Sequence, residues 1–322
     1  MGRRRRLSGA DLGSENTDEY GSGDQMKVLV AGSTGFVGRE LCPALSAAGH
    51  EVLAMTRRPE EYRGVGEPIR GDVADPASLV GALEGAEAAY YLVHRLGEKN
   101  FARADAQAAT AFGAAAAEAR VGRIIYLGGL GDTNDDLSEH LRSRREVETL
   151  LGEAGVPVTV LRAGIIVGDG GISWEMTRQL VEHLPAMITP RWVHTKTQPI
   201  AIADVIRYLV GVLETPEAIG RVFDIGGPEV LEYLQMLRRV AVIEGRPLLV
   251  LPVPLLSPSL SSRWLALVTN VDVATGRALI DSMTNEVVVR DDSIRALVPF
   301  EPMDYDAAVR AALGERAKGR KE

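Results

Sequence analysis

The sequence predicts an α/β protein: a doubly wound parallel sheet followed by a smaller C-terminal lobe that returns strands and helices to it. Two observations carry this expectation. From residue 26 to residue 166, short apolar runs alternate with helical segments, and strands apolar on both faces belong to a parallel sheet covered by helices on each side. The first run, residues 28–31, also enters a turn of evenly spaced glycines, Gly32, Gly35 and Gly38, that opens a helix. At 322 residues the chain can bury a large core as one big domain or two intertwined ones.

Taken in order, Val37, Leu41, Ala44, Leu45 and Ala48 fall on one helical face, and Gly49 ends that helix. Residues 51–55 read as the second strand, and Asp72-Val73 closes a short third. Asp75 is the expected capping acid, and Pro76 takes the first position of a helix that presents Leu79, Val80 and Leu83 on one face. A fourth strand covers 88–93. An alanine-rich helix over 101–120 is ended by Gly122, and a fifth strand spans 123–127. A helix over 138–151 and a sixth strand over 158–166 complete the alternation. Beyond Gly168 the rhythm loosens into helices over 174–183, 204–213 and 231–244 and a strand over 222–225. The proline-bearing stretch 248–262 reads as a buried irregular segment.

Composition excludes some partners. Hydrophobic residues at 46% and charged residues at 25% are ordinary for a globular chain, and a net charge of −8 weighs against nucleic acid. Cys42 is the single cysteine, so no intrachain disulfide forms; its place on the first helix reads as packing. No apolar run reaches the length of a membrane span, and the expected location is cytoplasmic. Residues 1–25 carry Arg3 to Arg6 and then mostly small and acidic residues. Such a tail cannot offset its ordering entropy, so it is expected to be disordered, with Met26 beginning the fold.

The glycine turn has the makings of an anion site. The first N–H groups of a helix lack intrahelical partners, and the helix dipole is positive there. Gly32 permits the turn, Gly35 lets a pyrophosphate approach the backbone, and Gly38 lets helix and strand pack closely. Ser33, Thr34, Phe36 and Val37 complete the expected contact set.

Further pieces accompany the turn: Gly71-Asp72-Val73, Arg123-Ile124-Ile125-Tyr126-Leu127, Leu161-Arg162, Pro199-Ile200 with Asp204-Val205, and Val222-Phe223-Asp224-Ile225-Gly226-Gly227. On these residues the chain resembles the short-chain dehydrogenase/reductase superfamily in its extended and atypical branch, from about Met26 to at least Gly227. It is similar to NmrA-like and YbjT-like NAD(P)-binding proteins, and its late strand resembles that of NAD-dependent epimerase/dehydratase proteins. The resemblance implies adenine contacts at Asp72 and Val73, with Leu92 and Val93 flanking the nicotinamide ribose. The expected division is a Rossmann domain over 26–165 and a substrate lobe over 166–322, the latter partly returning to the sheet.

A site that prefers NAD usually ends its second strand with an acid for the ribose 2′-hydroxyl. Here that strand ends Met55-Thr56-Arg57-Arg58, and two guanidiniums with a hydroxyl suit a 2′-phosphate. NADP(H) is therefore expected over NAD(H), against the plain alternative of two solvated charges at a strand end.

Catalysis is where the chain departs from the family. Its reductases and epimerases use a tyrosine and a lysine four residues apart, with a serine or threonine from the end of strand five. In those positions stand His140, Arg144 and Leu127-Gly128-Gly129. One reading is a modified centre in which His140 moves protons, Arg144 bonds the ribose hydroxyls, and His94 is a second candidate beside the nicotinamide. The other is a solvated basic face with His140 at its edge. His50, His183 and His194 are scattered without ligand spacing, so no metal site is expected. Trp174 and Trp192 are expected either to line a pocket or to pack in the core. The functional expectation is an NADP-dependent oxidoreductase on a small organic substrate. A non-catalytic NADP(H) sensor or scaffold is the alternative, and an epimerase or dehydratase a third.

Overall fold

Val28, Leu29, Val30 and Ala31 have no exposed surface, which places β1 (Lys27–Ala31) inside a sheet covered on both faces. The computed structural model describes residues 25–95, 100–132, 135–184, 186–189, 191–252 and 273–319; the expected disorder over 1–25 falls on residues that lie, up to 24, outside the described ones. After β1 come α1 (Phe36–Ala47), β2 (Glu51–Thr56), β3 (Glu67–Arg70), α2 (Leu79–Leu83), β4 (Ala88–Tyr91), α3 (Phe101–Glu118) and β5 (Arg123–Gly129). They are followed by α4 (Glu139–Gly152), β6 (Val158–Ala163), β7 (Ile166–Val167), α5 (Ile172–His183), β8 (Ala186–Thr189), β9 (Lys196–Thr197) and β10 (Ile200–Ala201). The chain continues through α6 (Ile202–Glu214), β11 (Val222–Ile225), β12 (Leu231–Glu232), α7 (Tyr233–Ile243) and β13 (Leu249–Pro252). Three helices close it: α8 (Val273–Ser282), the single turn α9 (Ile294–Leu297) and α10 (Tyr305–Gly319).

Seven strands form one sheet in the order β11-β6-β5-β4-β1-β2-β3, and every pairing in it is parallel. Alternation along β1 divides the core. Val28 and Val30 join Leu41, Leu45, Tyr90, Val205 and Leu209 on the face under α1 and α6. Leu29 and Ala31 join Leu79, Phe112, Ala116 and Val147 on the face under α2, α3 and α4. A separate cluster, with Trp174, Tyr233, Met236 and Tyr305, lies under the C-terminal helices. Trp174 is thus a core residue, and the side chain of Trp192 lies outside the described residues.

Several boundaries differ from expectation for local reasons. The third strand stops at Arg70, because an Asp72 carboxylate oxygen accepts the Ala74 N–H at 2.9 Å and turns the chain. Asp75 makes no side-chain cap, and Pro76–Ser78 is a 3₁₀ turn. Ser78 does the tying instead, accepting from the Asp72 N–H at 2.9 Å and donating to the Asp75 carbonyl at 2.7 Å. α3 is ended not by Gly122 but by Arg120 in the left-handed region (φ 59°), with the Val121 N–H reaching back to the Ala116 carbonyl. The fourth strand ends at Tyr91, and the sixth breaks after Ala163, so that Ile166–Val167 pairs with β10 instead. Residues 231–232 pair antiparallel with β9, and α7 starts only at Tyr233 under a capping box of Glu232 and Gln235. Part of the proline-bearing stretch is regular after all: β13 runs parallel to β8, and 253–262 lie outside the described residues.

Candidate functional site

The loops after β1 and β4 lie side by side where the strand order reverses, the crevice in which open α/β sheets bind ligands. Gly32 takes φ +93°, and a Cβ there would stand 3.2 Å from Leu92. The Gly35 N–H closes the turn on the Gly32 carbonyl at 2.9 Å. A Cβ on Gly38 would stand 2.2 Å from that same carbonyl oxygen, so only glycine lets α1 start this close to β1. α1 has no side-chain cap, which leaves the first N–H groups of the helix for an outside acceptor. Ser33 is fully buried, and its hydroxyl donates to the Met55 carbonyl at 2.9 Å. It ties the turn to β2, and the residue borders neither of the adjoining cavities.

Two cavities adjoin this turn. One of about 570 Å³ is bordered by Gly32, Thr34, Thr56, Arg57, Arg58, Asp72, Val73 and Val93, which brings most of the expected nucleotide contacts together. The other, of about 300 Å³, is bordered by Phe36, Val37, Leu92, His140 and Arg144, with Leu127, Leu130, Leu141, Ile165 and Met283 among its apolar walls. Gly35 and Gly38 border neither and act through the backbone. His94 borders both. The cradle, the exposed guanidiniums and the adjoining apolar cavity fit a dinucleotide with its central pyrophosphate at the glycine turn.

Residues overlooked in the sequence border these cavities, as Glu61, Tyr62 and Ser282 do, or touch a residue that does, as Asp105 does. Glu61 and Tyr62 follow β2 on a 3₁₀ turn beside Arg57 and Arg58, and Glu61 pairs with Arg58 at 3.1 Å. An exposed pair of this kind is weak and can be exchanged for a ligand. Nothing in the spacing after strand two marks Glu61, because it reaches the cavity through the turn. Asp105 on α3 is 2% exposed, and its Oδ2 lies 2.7 Å from His94 Nδ1. Ser282 at the end of α8 lies 3.0 Å from His140 Nδ1.

The imidazoles of His94 and His140 stack with centroids 5.0 Å apart and 22° between planes. Burial holds the His94 imidazole below its usual range, helped by Arg144 and opposed by Asp105. Burial, then His94 and Arg144, holds His140 well below it. Ser282 lies 2.8 Å from the Ala278 carbonyl and 3.0 Å from the Ser138 hydroxyl, and with its proton on the carbonyl it accepts from His140. In that arrangement the His140 proton sits on Nδ1 and Nε2 carries a lone pair. Arg144 donates to the Leu127 carbonyl and lies over the Tyr126 ring, 5.0 Å from its centroid.

The glycines at the end of β5 lie close to side-chain ends from α4. A Cβ on Gly128 would stand 2.8 Å from a Glu148 carboxylate oxygen, and one on Gly129 3.1 Å from Leu141. Glu148 lies there because it bridges Arg162 at 2.7 Å and Arg145 at 3.3 Å. Among the described residues no group of His, Cys, Asp and Glu is placed to hold a metal, and no helix is long and apolar enough to cross a membrane.

Comparison with known proteins gives the family. A family model described as NAD(P)H-binding matches residues 32–216. The chain is 30% identical over 233 residues to (4-alkanoyl-5-oxo-2,5-dihydrofuran-3-yl)methyl phosphate reductase of Streptomyces griseus, covering 69% of this chain and 75% of that one. It is 29% identical over 234 residues to the mitochondrial NADH dehydrogenase (ubiquinone) 1 alpha subcomplex subunit 9 of Dictyostelium discoideum, covering 68% of this chain and 65% of that one. Among solved structures, the triphenylmethane reductase of Citrobacter sp. complexed with NADP(H) superposes with a TM-score of 0.72 at 16% identity, covering 88% of this chain and 99% of that one.

Proposed function

The chain belongs to the NAD(P)H-binding family of short-chain dehydrogenase/reductase-like proteins, and from that premise we propose that it is an NADP(H)-dependent reductase of a small, largely apolar carbonyl compound. The observation that carries this reading is His94, which borders both the nucleotide-side cavity and the apolar cavity that holds His140 and Arg144. Gly32, Thr34 and the backbone of Ser33 to Val37 would hold the pyrophosphate. Arg57, Arg58 and Thr56 would hold a 2′-phosphate, and Asp72 and Val73 the adenine. Leu92 and Val93 would flank the nicotinamide ribose. In this reading residues 26–165 are the cofactor domain and 166–322 the substrate lobe.

When bound, a reduced nicotinamide supplies the hydride and is left oxidised. The protein's part is to deliver one proton to the substrate oxygen and to recover one from solvent. His94 and His140 are the groups that can do this, and Arg144 fixes positive charge beside them. No carboxylate borders the apolar cavity among the described residues, which suits a neutral acyl or alkyl group. The reductase named from Streptomyces griseus carries both an alkanoyl group and a methyl phosphate in its substrate's name. The alkanoyl group supports an acyl-bearing substrate, and the phosphate has no counterpart in the proposed neutral class.

The test is NADPH oxidation with a panel of alkyl ketones, enones and acyl lactones. Turnover with at least one class is expected, falling about a hundredfold or more when His94 and His140 are both replaced by alanine. Saturable NADPH binding without oxidation by any class would instead support a sensor or a structural subunit, a reading favoured by the missing hydroxyl at Gly128 and Gly129. Cofactor choice has its own check. Replacing Arg57 and Arg58 together by alanine is expected to weaken NADPH about tenfold or more while leaving NADH within about threefold. Equal loss for both cofactors would remove the 2′-phosphate assignment.

A further inference from the structure

We propose that Asp105 is a positioning residue: it holds His94 as the Nδ1–H tautomer and makes His94, rather than His140, the proton carrier of the stacked pair. The inference rests on the site described above but on different atoms from the cofactor assignment.

Asp105 lies in α3, one turn after Phe101, and is 2% exposed. A carboxylate so buried is costly unless its oxygens are satisfied. One oxygen faces His94 Nδ1 at 2.7 Å, and the other accepts the Arg95 backbone N–H at 3.2 Å. An ionised carboxylate can only accept, so the His94 proton sits on Nδ1 and the lone pair on Nε2. Nε2 is buried without a hydrogen-bond partner among the described residues. It is therefore a basic atom held in reserve beside the crevice.

The same carboxylate decides where a proton goes. His94 faces Asp105 and the Phe101 edge from α3, and His140 and Arg144 from α4, with Arg95 next in the chain. His140 faces His94, Arg144 and the Ser282 hydroxyl, with no carboxylate against it among its described partners. Two stacked neutral rings 5.0 Å apart next to a guanidinium take up at most one added proton between them. Only on His94 does that proton meet a negative partner. His140, tied through Nδ1 to Ser282, stays neutral and keeps Nε2 as an acceptor.

The experiment is long-range ¹H–¹⁵N NMR of the histidine side chains in the full chain without cofactor, with His94→Gln and His140→Gln identifying the two signals. In the wild type, His94 is expected as a neutral Nδ1–H ring that protonates before His140 as pH is lowered. In Asp105→Asn the amide can donate to Nδ1, so the ring is expected to switch to Nε2–H and to titrate about one pH unit lower or more. Asp105→Glu is expected to restore the wild-type tautomer, which a merely packing role would not require. An Nε2–H ring in the wild type, protonation of His140 first, or an unchanged tautomer in folded Asp105→Asn would each overturn the proposal. If Asp105→Asn does not fold, the wild-type spectrum decides alone. NADPH titration of the same sample separates the two readings, because loss of cofactor binding leaves the tautomer result standing.

Discussion

Replacing Gly38 by alanine is expected to abolish measurable cofactor binding. Its Cβ would stand 2.2 Å from the Gly32 carbonyl oxygen, 2.7 Å from Ser33 Cα and 2.9 Å from the Gly32 carbonyl carbon. All three are backbone atoms of the turn itself, so no side chain can swing away. Either α1 moves off β1 or the turn opens, and both displace the N–H groups that would hold the pyrophosphate. Affinity for NADPH should fall about a hundredfold or more, with about 1–3 kcal/mol of stability lost to overpacking. Gly81 is the control, because a Cβ there meets nothing within 4 Å. Gly81→Ala should bind normally and unfold at the same or slightly higher denaturant. Fluorescence titration and urea unfolding check both variants. Wild-type affinity in Gly38→Ala would remove the turn from the binding site.

Replacing Glu148 by alanine is expected to be the most destabilising change near the site. The carboxylate is 9% exposed and takes two N–H groups of Arg162, at 2.7 and 3.1 Å, with Arg145 at 3.3 Å. Burial raises the Glu148 carboxyl to about 7, so the effect is read above that pH, where its loss leaves two guanidiniums, 21% and 15% exposed, without their counter-charge. Breaking such a pair by removing one partner costs about 3–5 kcal/mol. Replacing Glu148 and Arg162 together by leucine should cost less than Glu148→Ala alone, since only Arg145, and no longer Arg162 as well, is then left without the carboxylate. Urea unfolding of the single and double variants is the check. A loss under about 1 kcal/mol in Glu148→Ala would mean that solvent already screens the cluster.

The fold was legible because β1, α1 and the strands after them follow the strongest local signals: apolar runs, helical periodicity and glycine at positive φ. The residues bordering the nucleotide-side cavity could be reached from sequence because Gly32, Arg57, Asp72 and Val93 each follow the end of a strand within two residues. What could not be read is what depends on packing between distant segments. Asp105 meets His94 across the start of α3, and Ser282 meets His140 across 142 residues. Glu61 arrives on a turn with no motif of its own. The end of α3 misled because Arg120 does in the left-handed region what glycine usually does. The break after Ala163 could not be seen because Ile165, Ile166 and Val167 are as apolar as the strand before them.

The charge pattern of the site follows from the same long-range packing. A Glu148 carboxylate oxygen stands 2.8 Å from where a Cβ at Gly128 would be. The site is left with imidazoles and a guanidinium in place of the family's tyrosine, lysine and serine. Those groups can still move a proton, and they are placed beside a cradle whose backbone is intact.

Titration of the purified protein with NADPH and with NADH, followed by nicotinamide fluorescence, tests the binding assignment most directly. Saturable binding of one NADPH per chain is expected, about tenfold or more tighter than NADH. Absence of saturable binding by either cofactor, or NADH binding as tightly as NADPH, would contradict it.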